Sequence, residues 1–352
     1  MPSAKKLASW LRGMANRRVG VAGDFMLDGY VWGNATRLSP EAAVPVVDFV
    51  AESECPGGAG NVAANLAALG ARVAAFGVCG VDPEAARLRV ALESRGVEPR
   101  GILPDPGRRT TLKTRIIARH QQVVRVDRET RAPLTPGLEE KLIAKVAAAL
   151  KGPRGSRGLD ALVISDYDKG TVTDELARRV LALCAKLRVP AFVKPKWSML
   201  ATYPGASAIV LNSAEAGFLV TRAVEDDESA EYAGTQLLEK FKSSAVVLTR
   251  GARGMMVFEP GAARGWKIPA LSQEIPFGSR FAGREAAPRG LQVFDVTGAG
   301  DTALATLALA CAAGASIRDA ALLGNAAAGI AVSKLGTATV SPSELSAVLR
   351  SL

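Results

Sequence analysis

The chain has 352 residues, of which 48% are hydrophobic and 5% aromatic, and its formal net charge is +10. That length suits one large α/β domain or two small ones, and the apolar fraction is high enough for a well-buried core. The excess of basic residues invites a nucleic-acid interpretation, but these residues are dispersed and no aromatic stacking motif accompanies them, so we expect no nucleic-acid partner.

Histidine and cysteine usage excludes several kinds of site. His120 is the only histidine, which excludes a histidine-based catalytic triad and a metal site with several histidines. No stretch has the length of a membrane span and the N-terminus lacks a signal-peptide core, so we expect no membrane partner. The cysteines are scattered without metal-ligand spacing, and we interpret them as reduced residues of a cytoplasmic protein. They are Cys55, Cys79, Cys184 and Cys311.

In chain order, an amphipathic opening is followed by apolar runs that alternate with helical patterns. Leu7, Trp10 and Leu11 predict an N-terminal helix docked on the protein rather than a membrane anchor. This alternation predicts an α/β fold with a doubly wound, mainly parallel sheet flanked by helices, in a single domain over 1–352. The predicted strands cover 19–24, 74–78, 161–165, 191–193, 208–211 and 245–249. The predicted helices cover 83–95, 137–150, 173–187, 229–242, 301–313 and 317–334.

Three segments depart from this alternation. Residues 29–50 and 110–128 carry β-type runs without helices between them, which predicts a small separate sheet. Residues 272–290 are rich in Gly, Arg and Pro, and we interpret them as an inserted loop.

The first predicted strand ends in Gly-Asp and is followed by a glycine-rich loop. Ligands of open α/β sheets gather at the carboxyl ends of strands, so Asp24 is a candidate acceptor for sugar hydroxyls rather than a solvated loop acid. The loop at 55–61 opens an Ala/Leu helix. Asn61 offers donor and acceptor groups to sugar hydroxyls, and the alternative is that it caps this helix.

A second glycine loop, at 296–303, runs directly into an apolar, Ala-rich helix. Gly298 and Gly300 allow a sharp bend that aims N–H groups at a ligand, and the helix dipole faces the same point. Asp301 fits this anion seat as the base that takes a proton from an attacking hydroxyl; the alternative is a helix cap. The loop also matches a dinucleotide fingerprint, but the acid at a comparable distance, Asp319, lies in a predicted helix.

Together these features resemble the ribokinase/PfkB carbohydrate kinases. The resemblance rests on Asp24, the loop at 57–61 and the motif at 295–302, in this order along the chain. It is closest to D-glycero-β-D-manno-heptose-7-phosphate kinase, which phosphorylates that sugar at O1 on the route to ADP-heptose and lipopolysaccharide. We expect the kinase domain alone, with no fused nucleotidyltransferase. The motifs similar to that branch lie at 23–28, 37–47, 113–115, 121–122, 125–129 and 334–340.

The resemblance implies a ribokinase-like fold and ATP-dependent phosphorylation of a sugar hydroxyl. It implies ATP and Mg²⁺ as cofactors, leaves a monovalent cation open, and makes a sugar phosphate the substrate. Segments 29–50 and 110–128 would form a lid over the sugar and the surface of a homodimer. Two alternatives stay open, namely a kinase of this family acting on another sugar or a nucleoside, and a non-catalytic sugar-phosphate sensor.

The same resemblance assigns roles to individual residues. Asp301 is the base, and the backbone amides of Gly298, Ala299 and Gly300 stabilise charge on the transferred phosphoryl group. The residues predicted to bind substrate are Asp24, Gly57, Gly58 and Asn61, with Arg37, Lys113 and Arg115 for its phosphate. The residues predicted to contact the nucleotide are Lys196, Asn212, Glu215, Thr249, Arg250, Gly251 and Asn325.

Asn212 and Glu215 fit an N-x-x-E element that organises Mg²⁺ through water, since this ion keeps several of its waters and needs few protein ligands. An Asn cap with Glu in the first helical turn is a compatible alternative.

Two substitutions depart from the heptose-kinase pattern. Asp168 stands where that pattern has Gly, and Lys194 stands where it has Asp in an Asp-Pro-Lys motif. Both follow consecutive strands, so we hypothesise that they form an ion pair at the phosphate end of the site. The alternative is that Asp168 points to solvent and Lys194 contacts the nucleotide alone.

Overall fold

The computed structural model describes residues 2, 4–119, 121–152, 157–196, 203–270, 296–334 and 336–350. A nine-stranded sheet forms its centre, with the spatial order β13-β12-β11-β10-β9-β8-β1-β4-β5. The strands from β5 to β11 in this order pair in parallel, and β12 and β13 are added antiparallel. These strands are β1 (Arg18–Gly23), β4 (Arg72–Cys79), β5 (Val97–Pro104), β8 (Ala161–Ser165), β9 (Ala191–Lys194), β10 (Ala208–Asn212), β11 (Val246–Thr249), β12 (Met255–Phe258) and β13 (Trp266–Ile268).

Helices cover both faces of this sheet, because alternate strand residues belong to two separate core clusters. Helices α1–α3 and α8–α10 contribute to one cluster, and α4–α7 contribute to the other. The helices are α1 (Ala4–Gly13), α2 (Ala59–Ala68), α3 (Pro83–Glu93), α4 (Pro136–Lys151), α5 (Asp174–Leu187), α6 (Ser213–Leu219), α7 (Asp227–Phe241), α8 (Ala299–Ala312), α9 (Ile317–Ala331) and α10 (Pro342–Leu349). The prediction of a doubly wound, mainly parallel sheet is confirmed.

The order of the strands reverses between β1 and β8. From β1 the chain proceeds outward through β4 and β5, and it then returns to place β8 on the other side of β1. Ligand crevices of open α/β sheets form at such a switch point, outside the carboxyl ends of the strands. The segments after Gly23 and Ser165, which are paired neighbours at this edge, are therefore placed at the crevice.

A second sheet, here called the lid sheet, has the order β3-β2-β6-β7. Its strands are β2 (Phe25–Leu38), β3 (Pro45–Gly58), β6 (Thr111–Ala118) and β7 (Gln121–Arg128). The antiparallel pair β2–β3 begins in the buried interior, at Phe25 and Gly58, and runs outward until its residues are mostly exposed. The sheet therefore extends farther inward than the predicted segments 29–50 and 110–128.

The N-terminal helix docks on the protein, as the sequence predicts. Leu7 and Leu11 are buried, and the Asp319 carboxylate lies 2.8 Å from Lys6 Nζ and accepts a 3.2 Å hydrogen bond from Trp10 Nε1. Among the described helices, none is both long and apolar enough to cross a bilayer. The predicted insertion at 272–290 lies outside the described residues, as do Asp295 and His120.

Candidate active site

A cavity of about 880 Å³ lies where the carboxyl edge of the main sheet meets the lid sheet and helices α8 and α9. Gly298, Gly300 and Asp301 form part of its wall. Asp28 and Lys113 of the lid sheet also line this cavity. The loop–helix motif and the lid segments, nearly two hundred residues apart in the chain, thus enclose one space.

Asp301 lies in the first turn of α8 and is largely buried. Its Oδ2 accepts a 2.9 Å hydrogen bond from Asn61 Nδ2, and its Oδ1 accepts a 2.5 Å bond from the Tyr167 hydroxyl. The cap of α8 is Gly298, with φ 81°, and it makes no side-chain cap bond. Asp301 is therefore not the helix cap, and its carboxylate faces the cavity.

Steric constraints explain why a glycine occupies position 298. A Cβ at this position would lie 2.7 Å from Asn61 Nδ2, and the positive φ is unfavourable for any other residue. No side chain caps α8, although the Ala299 N–H donates to the Val296 carbonyl at 3.3 Å. The positive end of the helix dipole therefore faces the cavity and favours negative charge there.

Lys194 ends β9, and β8 pairs with β9 so that Ser165 is opposite Lys194. Lys194 Nζ lies 2.6 Å from Asp301 Oδ1, 3.2 Å from the Tyr167 hydroxyl and 5.0 Å from the centre of the Tyr167 ring. Burial alone acts to lower the pKa of Lys194, but the Asp301 carboxylate, together with Tyr167 and Glu215, outweighs it and raises that pKa. The ammonium therefore stays charged beside the carboxylate.

The hypothesis that Lys194 pairs with Asp168 is wrong, although their strands are neighbours as expected. Asp168 adopts a left-handed backbone with φ 59°, and its N–H donates to Asp166 Oδ1 at 2.8 Å. The preceding residue, Tyr167, turns towards Asp301 in its place. Burial, followed by the Asp301 charge, raises the pKa of Tyr167, so its phenol remains a donor.

Asp24 is placed differently from the prediction that it binds the sugar. It is 1% exposed, and its carboxylate accepts backbone N–H bonds from Tyr167 at 2.8 Å and from Lys169 and Thr171 at 3.1 Å. These bonds occupy both oxygens, and Asp24 is not among the residues that line the cavity. Its role here is to attach the loop carrying Tyr167 to the end of β1.

Asp28, which the sequence reasoning quoted only within a motif, lines the cavity instead. Its Oδ1 lies 2.6 Å from the Arg115 guanidinium. Burial raises the pKa of Asp28 against the lowering effect of Arg115, and the Asp301 charge also contributes. A Cβ on Gly57 would lie 2.2 Å from Asp28 Oδ2, so this glycine leaves room for the carboxylate. The available signal was the alternation along β2, which puts Met26 and Asp28 on one face.

Asn61 is buried between the two glycine loops. It donates to Asp301, and its Oδ1 accepts from Asn65 Nδ2 at 3.2 Å. The cap of α2 is Gly58, with φ 57°, so Asn61 is not the cap. Asn61 is absent from the cavity lining, which makes it a group that orients Asp301, whereas Gly58 lines the cavity.

A cluster of three basic side chains on the lid sheet faces the same cavity, and each of them is ion-paired with a carboxylate, Lys113 also with Glu129 at 3.2 Å. Lys113 and Arg115 both line the cavity, and Arg125 of the neighbouring strand joins them. Asp127 Oδ2 lies 2.9 Å from Lys113 Nζ and accepts from Arg125 at 3.0 Å. Arg37 is not part of this cluster. Its side chain is 67% exposed and lies 3.5 Å from Asp48, on the outer part of β2.

Most of the predicted nucleotide residues line the cavity, whereas Lys196 and Glu215 are not among its lining residues. Thr249, Arg250 and Gly251 line it after β11, and the Arg250 guanidinium lies 2.7 Å from Asp227. Asn325 donates to the Pro269 carbonyl at 2.8 Å and begins a stripe of small side chains on one face of α9. Ala328, Gly329 and Val332, which follow Asn325 on α9 and at its C-terminal cap, also line the cavity.

Asn212 and Glu215 form a capping box at the start of α6. The Asn212 side chain accepts from the Glu215 N–H at 2.8 Å, and Glu215 Oε2 accepts from the Asn212 N–H at 2.9 Å. Asn212 lines the cavity, and Glu215 Oε1 lies 3.8 Å from Lys196 Nζ. Within the described ranges, no group of three or more His, Cys, Asp or Glu side chains could hold a metal ion.

Comparisons with known proteins agree with this arrangement. The family model described as pfkB family carbohydrate kinase matches residues 21–344. Bifunctional protein HldE of Geobacter sulfurreducens is 43% identical over 325 residues, 92% of this chain and 61% of that protein. Bifunctional protein HldE of Geobacter metallireducens is 42% identical over 327 residues, again 92% and 61%. The chain therefore spans about 61% of the length of these curated relatives.

Solved structures with low sequence identity share the fold. Ribokinase of Arabidopsis thaliana, complexed with ribose and ATP, matches with a TM-score of 0.70 at 18% identity, over 96% of this chain and 99% of that one. Phosphofructokinase-2 from Escherichia coli, in complex with potassium, matches with a TM-score of 0.72 at 18% identity, over 95% and 98%. With the family match, the chain belongs to the pfkB family of carbohydrate kinases.

Proposed function

We propose that this kinase transfers the γ-phosphoryl group of ATP to O1 of D-glycero-β-D-manno-heptose 7-phosphate, giving the 1,7-bisphosphate on the route to ADP-heptose and lipopolysaccharide. The observation that carries the proposal is the cluster of Lys113, Arg115 and Arg125, which lines the same cavity as Asp301. A substrate that already carries a phosphate needs such a cationic receptor. The similarity to proteins named bifunctional protein HldE supports the same choice.

In the proposed reaction the sugar hydroxyl attacks the γ-phosphorus atom. Its O–H proton passes to Asp301, the new O–P bond forms, and the bond from that phosphorus to ADP breaks. The amides of Gly298, Ala299 and Gly300 stabilise the charge on the phosphoryl oxygens. Asn61 and Tyr167 orient the Asp301 carboxylate through their hydrogen bonds.

The sugar is held on the lid side of the cavity. Asp28 accepts sugar hydroxyls beside the Gly57–Gly58 backbone, and Lys113, Arg115 and Arg125 bind the existing phosphate. Asp24 acts one step away, by holding the Tyr167 loop. The lid sheet excludes water, which otherwise competes with the sugar as acceptor.

Mg²⁺ is the proposed metal, held through water by Glu215 with Asn212 beside it. Carboxylate and amide oxygens suit this hard cation, which keeps most of its waters, and it would neutralise charge on the ATP phosphates. Asn212 lines the cavity and Glu215 Oε1 lies 3.8 Å from Lys196 Nζ, so one amide and one carboxylate of the kind that suits Mg²⁺ are present at this edge. The monovalent cation stays a prediction.

We further propose a homodimer through the lid sheet. The strands of the lid sheet expose several large apolar side chains on both of its faces, and monomeric proteins rarely cluster so many on one sheet. They are Trp32, Leu38, Phe49, Val50, Val123, Val124 and Val126. A cytoplasmic location is proposed with it, because the enzyme uses ATP and its four cysteines are free.

A substrate panel tests the proposed function. ADP release is measured with heptose 7-phosphate, fructose 6-phosphate, ribose and adenosine, and phosphorus NMR identifies the phosphorylated oxygen. We expect kcat/KM for heptose 7-phosphate to exceed that for the unphosphorylated compounds by about 10²-fold or more, as two charge-assisted contacts provide. Preference for ribose or adenosine would favour the alternative kinase. Binding of sugar phosphate and ATP without turnover would favour a sensor.

A further inference from the structure

Lys194 is a cation at the centre of the cavity that the proposed reaction does not yet use. The heptose-kinase pattern has a carboxylate here, whereas this chain has an ammonium 2.6 Å from Asp301 Oδ1. The side chain is 16% exposed and lines the cavity. The Lys194 ammonium is therefore accessible from the cavity.

The Asp301 carboxylate has partners without Lys194. Asn61 donates to one of its oxygens and the Tyr167 hydroxyl donates to the other. A carboxylate with both oxygens bonded is already oriented, so positioning Asp301 does not by itself account for the ammonium.

The ammonium also lies beside the anion seat. Its Nζ is 3.8 Å from the point where a Cβ on Gly300 would lie, in the first turn of α8. The positive end of α8 and the ammonium therefore act on the same small volume. Positive charge fixed where a phosphoryl group gains negative charge is the arrangement that lowers the barrier of its transfer.

We propose that Lys194 is a catalytic residue of this kinase, whose ammonium leaves Asp301 and contacts the oxygens of the transferred phosphoryl group. The proposal rests on the proposed function of this site. The sugar O–H bond breaks with its proton going to Asp301, the O–P bond forms and the P–O bond to ADP breaks. Lys194 keeps its protons throughout and supplies only charge.

A consequence concerns the nucleotide in the absence of a divalent ion. A fixed ammonium neutralises part of the charge of the terminal phosphate, so it supports ATP binding even when Mg²⁺ has been removed. Removing the ammonium will therefore weaken nucleotide binding more in a chelator than in Mg²⁺.

The experiment compares Lys194→Met and Lys194→Arg with Lys186→Met, an exposed lysine in the last turn of α5. Steady-state rates give kcat and both KM values, and calorimetry gives the Kd of a non-hydrolysable ATP analogue in Mg²⁺ and in EDTA. For Lys194→Met we expect kcat to fall about 10²–10³-fold, the range for one lost charge-stabilising donor. We expect the sugar KM to change less than about threefold, and the Kd in EDTA to rise about 10-fold. In Lys194→Arg, kcat and the Kd in EDTA will both be closer to the wild-type values than in Lys194→Met.

Either of two results overturns the proposal. One is a Lys194→Met kcat within about threefold of Lys186→Met. The other is a lower kcat with an unchanged analogue Kd in both buffers, which assigns Lys194 to orienting Asp301 alone. If the wild-type chain phosphorylates none of the sugars offered, the proposed function fails, while the analogue Kd still decides the role of Lys194. Should Lys194→Met not fold, Lys194→Gln replaces it in the same measurements.

Discussion

Two glycine loops of this chain open helices of similar composition, yet they meet the cavity differently. Residues 57–60 before and at the start of α2 are buried, whereas 297–300 at the start of α8 are half-buried and line the cavity. Both helices are capped by a glycine at positive φ, without a side-chain cap bond. The same local motif therefore produces one helix start that lines the cavity with four consecutive residues and one that reaches it only at Gly58.

The difference lies in what each loop presents. The α8 loop offers N–H groups and Asp301 to the cavity, while the α2 loop directs Asn61 away from the cavity and onto Asp301. Its glycine at 57 leaves space for Asp28. A glycine-capped helix start is an anion site only where the packing leaves it accessible; elsewhere the same motif allows close backbone approach.

The largest expected effect tests the α8 loop. Asp301→Asn keeps the size of the side chain, replaces one acceptor oxygen by an NH₂ donor and removes the proposed base, so kcat should fall by about 10²–10⁴ with ATP binding intact. Steady-state kinetics and calorimetry with an ATP analogue measure the two quantities. A properly folded variant that retains near wild-type kcat would show that Asp301 is not the base, so that neither glycine loop supplies a catalytic side chain.

A smaller effect is expected from Gly298→Ala. The added Cβ would lie 2.7 Å from Asn61 Nδ2 and occupies a positive φ, so the contact between the two loops must shift. We expect kcat to fall about 10–10²-fold, as for a displacement of about 1 Å at a catalytic group.

Gly314→Ala is the matched control, since Gly314 follows α8 at φ 98°. It introduces comparable backbone strain far from Asp301. Equal losses of kcat in the two variants would mean that strain, and not the contact with Asn61, is the cause.

A third variant tests the sugar-binding side of the cavity, where the glycine loop at 57–60 lies beside Asp28. Arg115→Ala removes the cation 2.6 Å from Asp28 and beside the cavity, so the KM for a sugar phosphate should rise about 10-fold or more. The KM for ATP should stay within about twofold. Arg37→Ala, on the exposed outer part of β2, serves as the control. Equal changes for both substrates, or none, would remove the lid sheet from substrate recognition.

The last prediction concerns the stability of the loop that carries Tyr167 rather than the rate of the reaction. Burial and the nearby Asp24 charge raise the pKa of Asp166 to about 7. Between about pH 4 and 7 the folded state therefore binds more protons than the unfolded state, so this contribution to stability is lost as the pH rises through that window. Asp166→Asn should reduce the fall in the free energy of unfolding between pH 5 and 8 by about 2 kcal/mol.

Urea unfolding at several pH values measures that difference. Glu93→Gln, an exposed acid in α3, provides the baseline. An identical pH dependence in wild type and Asp166→Asn would show that Asp166 does not titrate in this window.

The sequence by itself determined the fold class and the position of the phosphoryl-transfer motif. Strand–helix alternation and the glycines at 57–60 and 298–300 are local patterns, set by side-chain period and by backbone freedom. The glycines at 298–300 also single out Asp301 as a candidate base, because a carboxylate beside an anion-binding loop would otherwise repel the anion. Short strands such as β12 and β13 carry too little periodicity and were missed.

Only the tertiary structure decided which polar side chains meet. Asp24 and Asp28 are alike in sequence, but the first is bonded to the backbone of a loop from β8 and the second faces the cavity. Lys194 lies 2.6 Å from Asp301 Oδ1, whereas Asp168 has a left-handed backbone and its N–H donates to Asp166. Such pairings join residues more than a hundred positions apart, and their geometry depends on strand register and loop conformation, which composition and spacing do not specify.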